Sequence, residues 1–298
     1  MPILSLQNIS KSYGAVKALS DVSFEVPKGA IYGVLGPNGS GKTTLLGIVT
    51  DVLKADSGSF TLFDQQSAAR ERRQIGTLLE TPNFYHYLSA YKNLQIAASI
   101  KQRGEKDIDR VLQLCGLSER KHAAFKTYSL GMKQRLAIAS VLLGDPDVLI
   151  LDEPTNGLDP AGIAEVRSLI KQVAATGKTV ILASHLLDEV EKVCTHVAIL
   201  QRGTLLLSGA VNEVISRNDY LELAAGDNNA LHDAMLQYPG CTGARIEGAL
   251  VVALFDNAPD AAAVNNYCAQ RGIWLQHLQL RRKSLEKAFL EITNVPVS

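Results

Sequence analysis

The sequence has no run of about 18 apolar residues, the length a membrane-crossing helix needs. Its start, Met-Pro-Ile-Leu-Ser-Leu-Gln-Asn, has no basic segment leading into an apolar one, so no secretory leader is expected. Any action on a membrane would then run through a partner. There is no excess of either charge: 30 Lys+Arg stand against 30 Asp+Glu. That balance removes the electrostatic argument for nucleic acid as the main partner, and none is expected. Cysteine is scarce. Cys115, Cys194, Cys241 and Cys268 form no Cys-x-x-Cys, and Cys194-Thr195-His196 has no second pair to complete a metal site. Four reduced thiols in a cytosolic chain are expected. Aromatics make up only 6% of the residues, so the cluster Phe84, Tyr85, Tyr87 and Tyr91 stands out.

What is present is an ordinary globular composition, 46% hydrophobic and 20% charged over 298 residues. That is enough chain for one large or two modest domains. Apolar runs at 3–9, 22–26 and 31–35 read as strands, with a turn at Pro27-Lys28-Gly29. Residues 39–51 read as a loop and helix. Residues 84–143 read as two or three helices with no convincing strand. Strand–helix alternation returns over 147–215, and the continuous apolar runs 148–151 and 179–183 suit strands buried on both faces. A further strand pair, 197–200 and 204–208, flanks Gln201-Arg202-Gly203.

After about 216 the pattern changes. Strand 220–224, helix 229–237, a hairpin of 244–247 and 250–255 about Gly248-Ala249, helix 260–271 and strand 273–280 follow one another. That β-α-β-β-α-β order predicts a ferredoxin-like domain. A closing helix over 284–293 is expected, with Ser284 as its cap but Lys287 where a capping box needs an acid or amide. Arg281-Arg282-Lys283 reads as a solvated basic turn.

The strongest chemical signal is Gly-Pro-Asn-Gly-Ser-Gly-Lys-Thr-Thr, from Gly36 to Thr44, between an apolar strand and an apolar helix. Gly39 and Gly41 let the backbone wrap an anion, and the loop N–H groups make a nest for phosphate oxygens. Lys42 offers a flexible positive charge to the outer phosphates, and Thr43 a hydroxyl for Mg²⁺. Val-Leu-Ile-Leu-Asp-Glu completes the site: a buried strand ends in two acids. Asp152 suits the hard Mg²⁺ ion, and Glu153 suits an attacking water. A second anion cradle is predicted at Ser129-Leu130-Gly131, where Ser129 would cap a helix whose dipole favours negative charge. The helix would end at Gly144-Asp145-Pro146.

Taken in order, these motifs resemble the ATPase subunits of ABC transporters over about residues 3–215. Tyr13 stands where the family stacks an aromatic on adenine. Gly36, Asn38, Gly39, Ser40, Gly41, Lys42, Thr43 and Thr44 stand in the Walker A loop. Ser129-Leu130-Gly131-Met132 occupy the signature position, Leu149 to Glu153 the Walker B strand with the catalytic glutamate, Gly157-Leu158-Asp159 the D-loop, and His185 the switch histidine.

The resemblance implies an α/β fold: a P-loop ATPase core with an antiparallel β subdomain and a helical subdomain at about 84–143, over residues 1–216. The small α+β ferredoxin-like domain would occupy 217–298. It implies ATP and Mg²⁺, with Glu153, His185 and Lys42 as catalytic residues and Thr43, Asp152 and Glu80 at the metal. It also answers why one chain has two cradles. Two subunits would pack head to tail, so that Ser129 and Gly131 touch the nucleotide held by the partner's Lys42, and Asp159 reaches across.

Integral-membrane permease subunits would dock near residues 80–95, where the aromatics gather, holding the chain at the cytoplasmic face of the plasma membrane. The same aromatics would equally serve as the core of the helical subdomain.

Two departures mark a branch. Tyr128, Leu130 and Met132 replace the Leu, Gly and Gln of the usual Leu-Ser-Gly-Gly-Gln, and Glu80 replaces the Q-loop glutamine. Met132 lacks the polar contacts of an amide, which predicts a weaker nucleotide sandwich. With Asn-Gly-Leu-Asp-Pro at 156–160, these features resemble exporter ATPases of the bacitracin-resistance type. Other readings are a soluble ABC-type ATPase, a regulatory subunit with little hydrolysis, or a subunit paired with a different ATPase chain. The single cassette, the short span from Lys42 to Ser129, and the presence of Glu153 and His185 favour the exporter.

Overall fold

A computed structural model of the chain describes residues 2–63, 65–66, 74–79, 83–216, 220–255, 259–281, 285–286 and 289. Packing divides it into two compact units that meet at Gly209 and Ala210.

The first unit opens with a hairpin of β1 (Pro2–Tyr13) and β2 (Val16–Pro27). Both strands run well past the apolar stretches at 3–9 and 22–26. Residues 10–21 are too polar to alternate visibly, yet the ladder continues to the Tyr13–Val16 pair around Gly14. After β3 (Ile31–Leu35) and α1 (Lys42–Val49), strands β4 (Ser57–Leu62) and β5 (Gln65–Gln66) complete an antiparallel sheet in the order β2-β1-β4-β5.

The second sheet adds β6 (Ile75–Leu78), β7 (Val148–Asp152), β8 (Thr179–Ser184), β9 (His196–Gln201) and β10 (Thr204–Ala210), in the order β10-β9-β3-β8-β7-β6. Its pairs β3–β8, β3–β9, β7–β8 and β6–β7 are parallel. Strands β3, β7 and β8 are buried at every residue, as their continuous apolar runs require. Helix α1 places Leu45, Leu46, Ile48 and Val49 in one core with residues of both sheets, including Leu6, Val22, Val34 and Ile150. Phe24 of β2 stacks on Tyr32 of β3 at 5.4 Å, which joins the two sheets directly.

Residues 84–143 are helical, as expected: α2 (Ala90–Lys101), α3 (Ile108–Leu114) and α4 (Leu130–Leu142), with three single 3₁₀ turns between them. The one strand-like feature is an isolated bridge between Ser89 and Ala124. Lys101, at the end of α2, donates from Nζ to Ser140 O at 2.6 Å and so closes the C-terminus of α4. Then come α5 (Pro160–Ala175) and α6 (Leu187–Val193); α7 (Val211–Ser216) opens the second unit, since the units divide at Gly209 and Ala210 and the boundary expected after 216 lies at the far end of α7.

The second unit continues with β11 (Tyr220–Ala225), α8 (Asn228–Leu236), β12 (Cys241–Glu247), β13 (Leu250–Phe255), α9 (Ala261–Gln270) and β14 (Leu275–Arg281). The sheet order is β12-β13-β11-β14, all antiparallel. Leu221, Leu223, Val251, Ala253 and Phe255 pack on Leu231, Met235, Val264 and Cys268 of the two helices. Most of the expected helix at 284–293, Ser284 included, lies outside the described residues, as do Arg282 and Lys283. Among the described residues no helix is long and apolar enough to cross a membrane.

Candidate functional site

Strands β3, β8 and β7 are neighbours and parallel, so their C-terminal ends open on one edge of the sheet. Each delivers part of a site there, as open parallel sheets commonly do. β3 delivers the loop 36–41 and the start of α1. The loop must pass close under β2. A Cβ on Gly41, whose φ is +105°, would stand 2.5 Å from the carbonyl oxygen of Ala18, so only glycine fits. Helix α1 has no side-chain cap, which leaves its first N–H groups for an anion.

Lys42 is the first residue of α1 and its side chain is 6% exposed. Nζ donates to Gly36 O at 2.8 Å and to Pro37 O at 3.2 Å, and lies 3.5 Å from Glu153 Oε1. The ammonium thus curls back over its own loop, at the mouth of the nest. Ser40 Oγ is buried without a hydrogen-bond partner among the described residues, a polar atom left for something outside the chain.

β7 delivers the acids. Thr43 Oγ1 donates to Asp152 Oδ2 at 2.7 Å, which sets two hard oxygen donors side by side. Glu153 follows at φ +47°, a left-handed conformation unusual for a residue with a Cβ. It is held there from both sides: its N–H donates to Ala183 O at 3.0 Å and its carbonyl accepts from Asn156 N at 3.1 Å. From there its carboxylate meets Lys42 and His185. β8 delivers His185, whose Nδ1 lies 2.9 Å from Glu153 Oε2. In the tautomer that carries its proton on Nδ1, this nitrogen donates to the carboxylate.

A cleft of about 330 Å³ lies over these groups, lined by Tyr13, Asn38, Gly39, Thr44 and Glu153 among others. Tyr13 is half exposed, with Lys11 Nζ 5.7 Å from its ring centre. Val16, Lys17 and Ala18 line the cleft too. The sequence reading passed them over because they stand in the polar stretch that hid the end of the hairpin; the signal available was Gly14 two residues before Val16.

The arrangement suits a polyphosphate with a magnesium ion. The nest, the uncapped helix start and Lys42 fit phosphate oxygens. Thr43 and Asp152 fit Mg²⁺, which prefers oxygen and takes one or two carboxylates along with phosphate and water. When bound, that ion supplies positive charge against the triphosphate. Glu153, steadied by His185, is placed to orient and deprotonate a water at the cleft mouth.

The helix cap expected at Ser129 forms, and it lies outside this cleft. Ser129 caps α4, accepting from Met132 N at 3.3 Å, and is exposed. Gly131 follows in the first turn. Neither lines the cleft that holds Lys42. Asp159 caps α5, accepting from Gly162 N at 3.0 Å, with Pro160 at the first helical position. Tyr128, which takes the place of the family's leucine, is buried: its hydroxyl donates to Arg120 O at 2.7 Å, and burial pushes its pKa up.

The aromatic cluster divides. Phe84 packs on Phe125 and Tyr91 on His122, whereas Tyr85 and Tyr87 are 49% and 72% exposed, edge to face with each other. Glu80 lies outside the described residues.

Comparison with known proteins agrees with this geometry. A family model described as "ABC transporter" matches residues 19–156. An uncharacterized ABC transporter ATP-binding protein of Bacillus subtilis, YhcH, is 38% identical over 98% of this chain and 96% of its own. The bacitracin transport ATP-binding protein BcrA of Bacillus licheniformis is 35% identical over 97% of each. Among solved structures, CbiO1 of Clostridium perfringens, described as part of the ABC transporter complex CbiONQ, superposes with a TM-score of 0.65. It is 30% identical, over 72% of this chain and 90% of its own.

Proposed function

This chain belongs to the ATP-binding subunits of ABC transporters, and from that membership we propose that it powers an exporter by closing on ATP as a head-to-tail dimer. The observation that carries the proposal is the separation of the two cradles. The capped turn at 129–131, exposed at Ser129 and Leu130, does not line its own cleft, and a second copy is the partner that would use both.

In this reading Tyr13 stacks on the adenine, and Asn38, Gly39, Ser40, Gly41 and Thr44 hold phosphates with Lys42. Lys42 gives up the carbonyls of Gly36 and Pro37 for the outer phosphates. Thr43 and Asp152, with Glu80, serve the metal. Ser129 and Gly131 of the partner subunit close the far side, and Asp159 lies at the same seam. Closure excludes water and sharpens every charge in the site. Glu153 then takes the proton of the attacking water while His185 holds its carboxylate in place. Loss of the outer phosphate removes the bridge, and the subunits part. The work available is the difference in ATP affinity between the closed and open dimer.

Force leaves through the membrane partner. Tyr85 and Tyr87, exposed and a few positions after Glu80 in the chain, suit a docking patch for a permease helix, whereas Phe84 and Tyr91, half-buried, pack on Phe125 and His122 of the helical subdomain. The chain would then sit at the cytoplasmic face of the plasma membrane by attachment. The bacitracin transport relative supports the likeness to exporter ATPases of the bacitracin-resistance type, and export follows from that likeness. The second unit, with its ferredoxin-like order of elements over about 217–298, would serve dimerisation or regulation.

The test is mass in solution. Purified Glu153→Gln chain with ATP and Mg²⁺ is measured by light scattering, alone and with Ser129→Arg added. A doubling of mass that needs ATP and that Ser129→Arg abolishes is expected. A chain that binds ATP and stays monomeric at every concentration sinks the sandwich. Co-purification of a stoichiometric integral-membrane protein, lost in the Tyr85→Ala, Tyr87→Ala double variant, checks the docking patch.

A further inference from the structure

The second unit carries a cleft of its own, of about 530 Å³, walled by Gly226, Asp227, Arg271, Trp274 and Gln276 among others. That size falls among those of small-molecule sites, about 300–1,000 Å³. The cleft lies between the turn that joins β11 to α8 and the turn that joins α9 to β14. The fold fixes both turns. In the first, Asn228 Oδ1 accepts from Ala225 N at 3.0 Å while its Nδ2 donates to Ala249 O at 2.9 Å. In the second, Gly272 at φ +74° follows α9, and the N–H of Ile273 donates to Cys268 O at 3.0 Å. The register of β11 with β14 then slips. Ala225 faces Leu275 and Ala224 faces His277, so Gln276 is an extra residue bulged on the cleft wall. A Cβ on Gly226 or on Gly272 would meet nothing within 4 Å, so the space over both turns is open.

Three side chains give this cleft its chemistry. Trp274 is the one tryptophan of the chain and is 74% exposed. An indole this exposed offers a flat apolar face to another ring. The Arg271 guanidinium lies 3.6 Å over the ring centre of Tyr267. Stacking uses the face of the guanidinium and leaves its N–H groups, which point outward in its plane, for a planar acceptor. Asp227 Oδ1 accepts from Asn229 N at 2.9 Å and Ala230 N at 3.1 Å, which holds the carboxylate still as the cap of α8. Arg271 and Asp227 form no ion pair, with each other or elsewhere, among the described residues. One positive and one negative group that share a cleft without pairing fit a ligand that carries both charges. A free amino acid does: its carboxylate suits the guanidinium fork, and its ammonium suits Asp227.

We propose that this cleft binds a free aromatic amino acid, with its carboxylate on Arg271, its ammonium on Asp227 and its ring on Trp274. The site goes beyond the proposed function and does not rest on it, since every group belongs to the second unit.

The full chain is titrated without ATP, and Trp274 reports through its own fluorescence. The probes are L-phenylalanine, hydrocinnamate (which lacks the ammonium), phenethylamine (which lacks the carboxylate) and L-alanine (which lacks the ring). L-Phenylalanine should change the emission saturably, half-way at about 1 mM or below. Each of the other probes should need about tenfold more, having lost a charged hydrogen bond or the stacked ring. Arg271→Met, and Asp227→Asn, which keeps the cap, should each weaken L-phenylalanine about tenfold. A flat emission with L-phenylalanine overturns the proposal. So does a lesser probe that matches it, or a folded variant that binds it as the wild type does. The probe series is read on the wild-type chain alone, so it decides the matter even where a variant fails to fold.

Discussion

Replacing Asp159 separates folding from chemistry at the D-loop. Its Oδ1 accepts from Gly162 N at 3.0 Å and so caps α5, a helix of 16 residues that packs Val166, Leu169, Ile170 and Val173 into the core. Loss of an N-cap costs about 1 kcal/mol. An exposed carboxylate at a helix N-terminus adds about 0.3–1 kcal/mol through the dipole. Asp159→Ala should then lose about 1–2 kcal/mol, a drop in melting temperature of about 3–6 °C for a unit of this size. Asp159→Asn keeps the acceptor oxygen and forfeits only the dipole share, so it should lose at most about 1 kcal/mol.

The assay is thermal and urea unfolding without nucleotide, the two variants against wild type. Once Asp159→Asn is shown to fold as the wild type does, any loss of ATPase in it reports the charge and not the cap. The cap argument is refuted if Asp159→Ala melts with the wild type, or if Asp159→Asn falls as far as Asp159→Ala.

Two further outcomes follow from the geometry. Burial pushes the Lys101 ammonium down to about 8 from 10.5, with Arg103 adding to the effect. The unfolded chain then holds more protons than the folded one between about pH 8 and pH 10.5, so this group's contribution to stability rises with pH across that window. In guanidinium unfolding at pH 7.5 and pH 10, the wild type should gain up to about 3 kcal/mol relative to Lys101→Met. Thr43→Val removes the hydroxyl bonded to Asp152 and should weaken Mg²⁺-dependent ATP binding about 10- to 100-fold, with Thr43→Ser near wild type and binding without Mg²⁺ little changed, all read by titration calorimetry.

How much of the site was legible depended on whether its chemistry is local in the chain. The phosphate loop needs glycines, a lysine and a threonine in one short stretch, and all of them appear between Gly36 and Thr44. Asp152 and Glu153 sit at the end of an apolar run, and that pattern marks a strand end by itself. The cap at Ser129 is also local, since an N-cap bonds to an amide only two or three residues on; the cap at Asp159 is equally local but was read only as a D-loop residue. The βαββαβ order of the second unit was readable for the same reason: each of its elements has its own period.

Other features were not local and so were not legible. The hairpin from Pro2 to Pro27 extends through polar residues because backbone hydrogen bonds, not side chains, carry the ladder there. The place of Ser129 and Gly131 outside their own cleft was implied only by the family resemblance, and no stretch of this sequence records it. The division of the aromatic cluster into packed and exposed rings depends on Phe125 and His122, more than thirty residues further along the chain.

By itself the sequence determined which groups this protein carries and which backbone conformations they require: a nest of glycines, a lysine, two acids, a histidine and two capped helices. Only the tertiary structure decided that three parallel strands bring Lys42 to 3.5 Å and His185 to 2.9 Å from the carboxylate of Glu153, which itself sits at φ +47°. Residue types answer to local sterics and hydrogen bonding, while distances between residues a hundred positions apart answer to how the sheets and helices share one core.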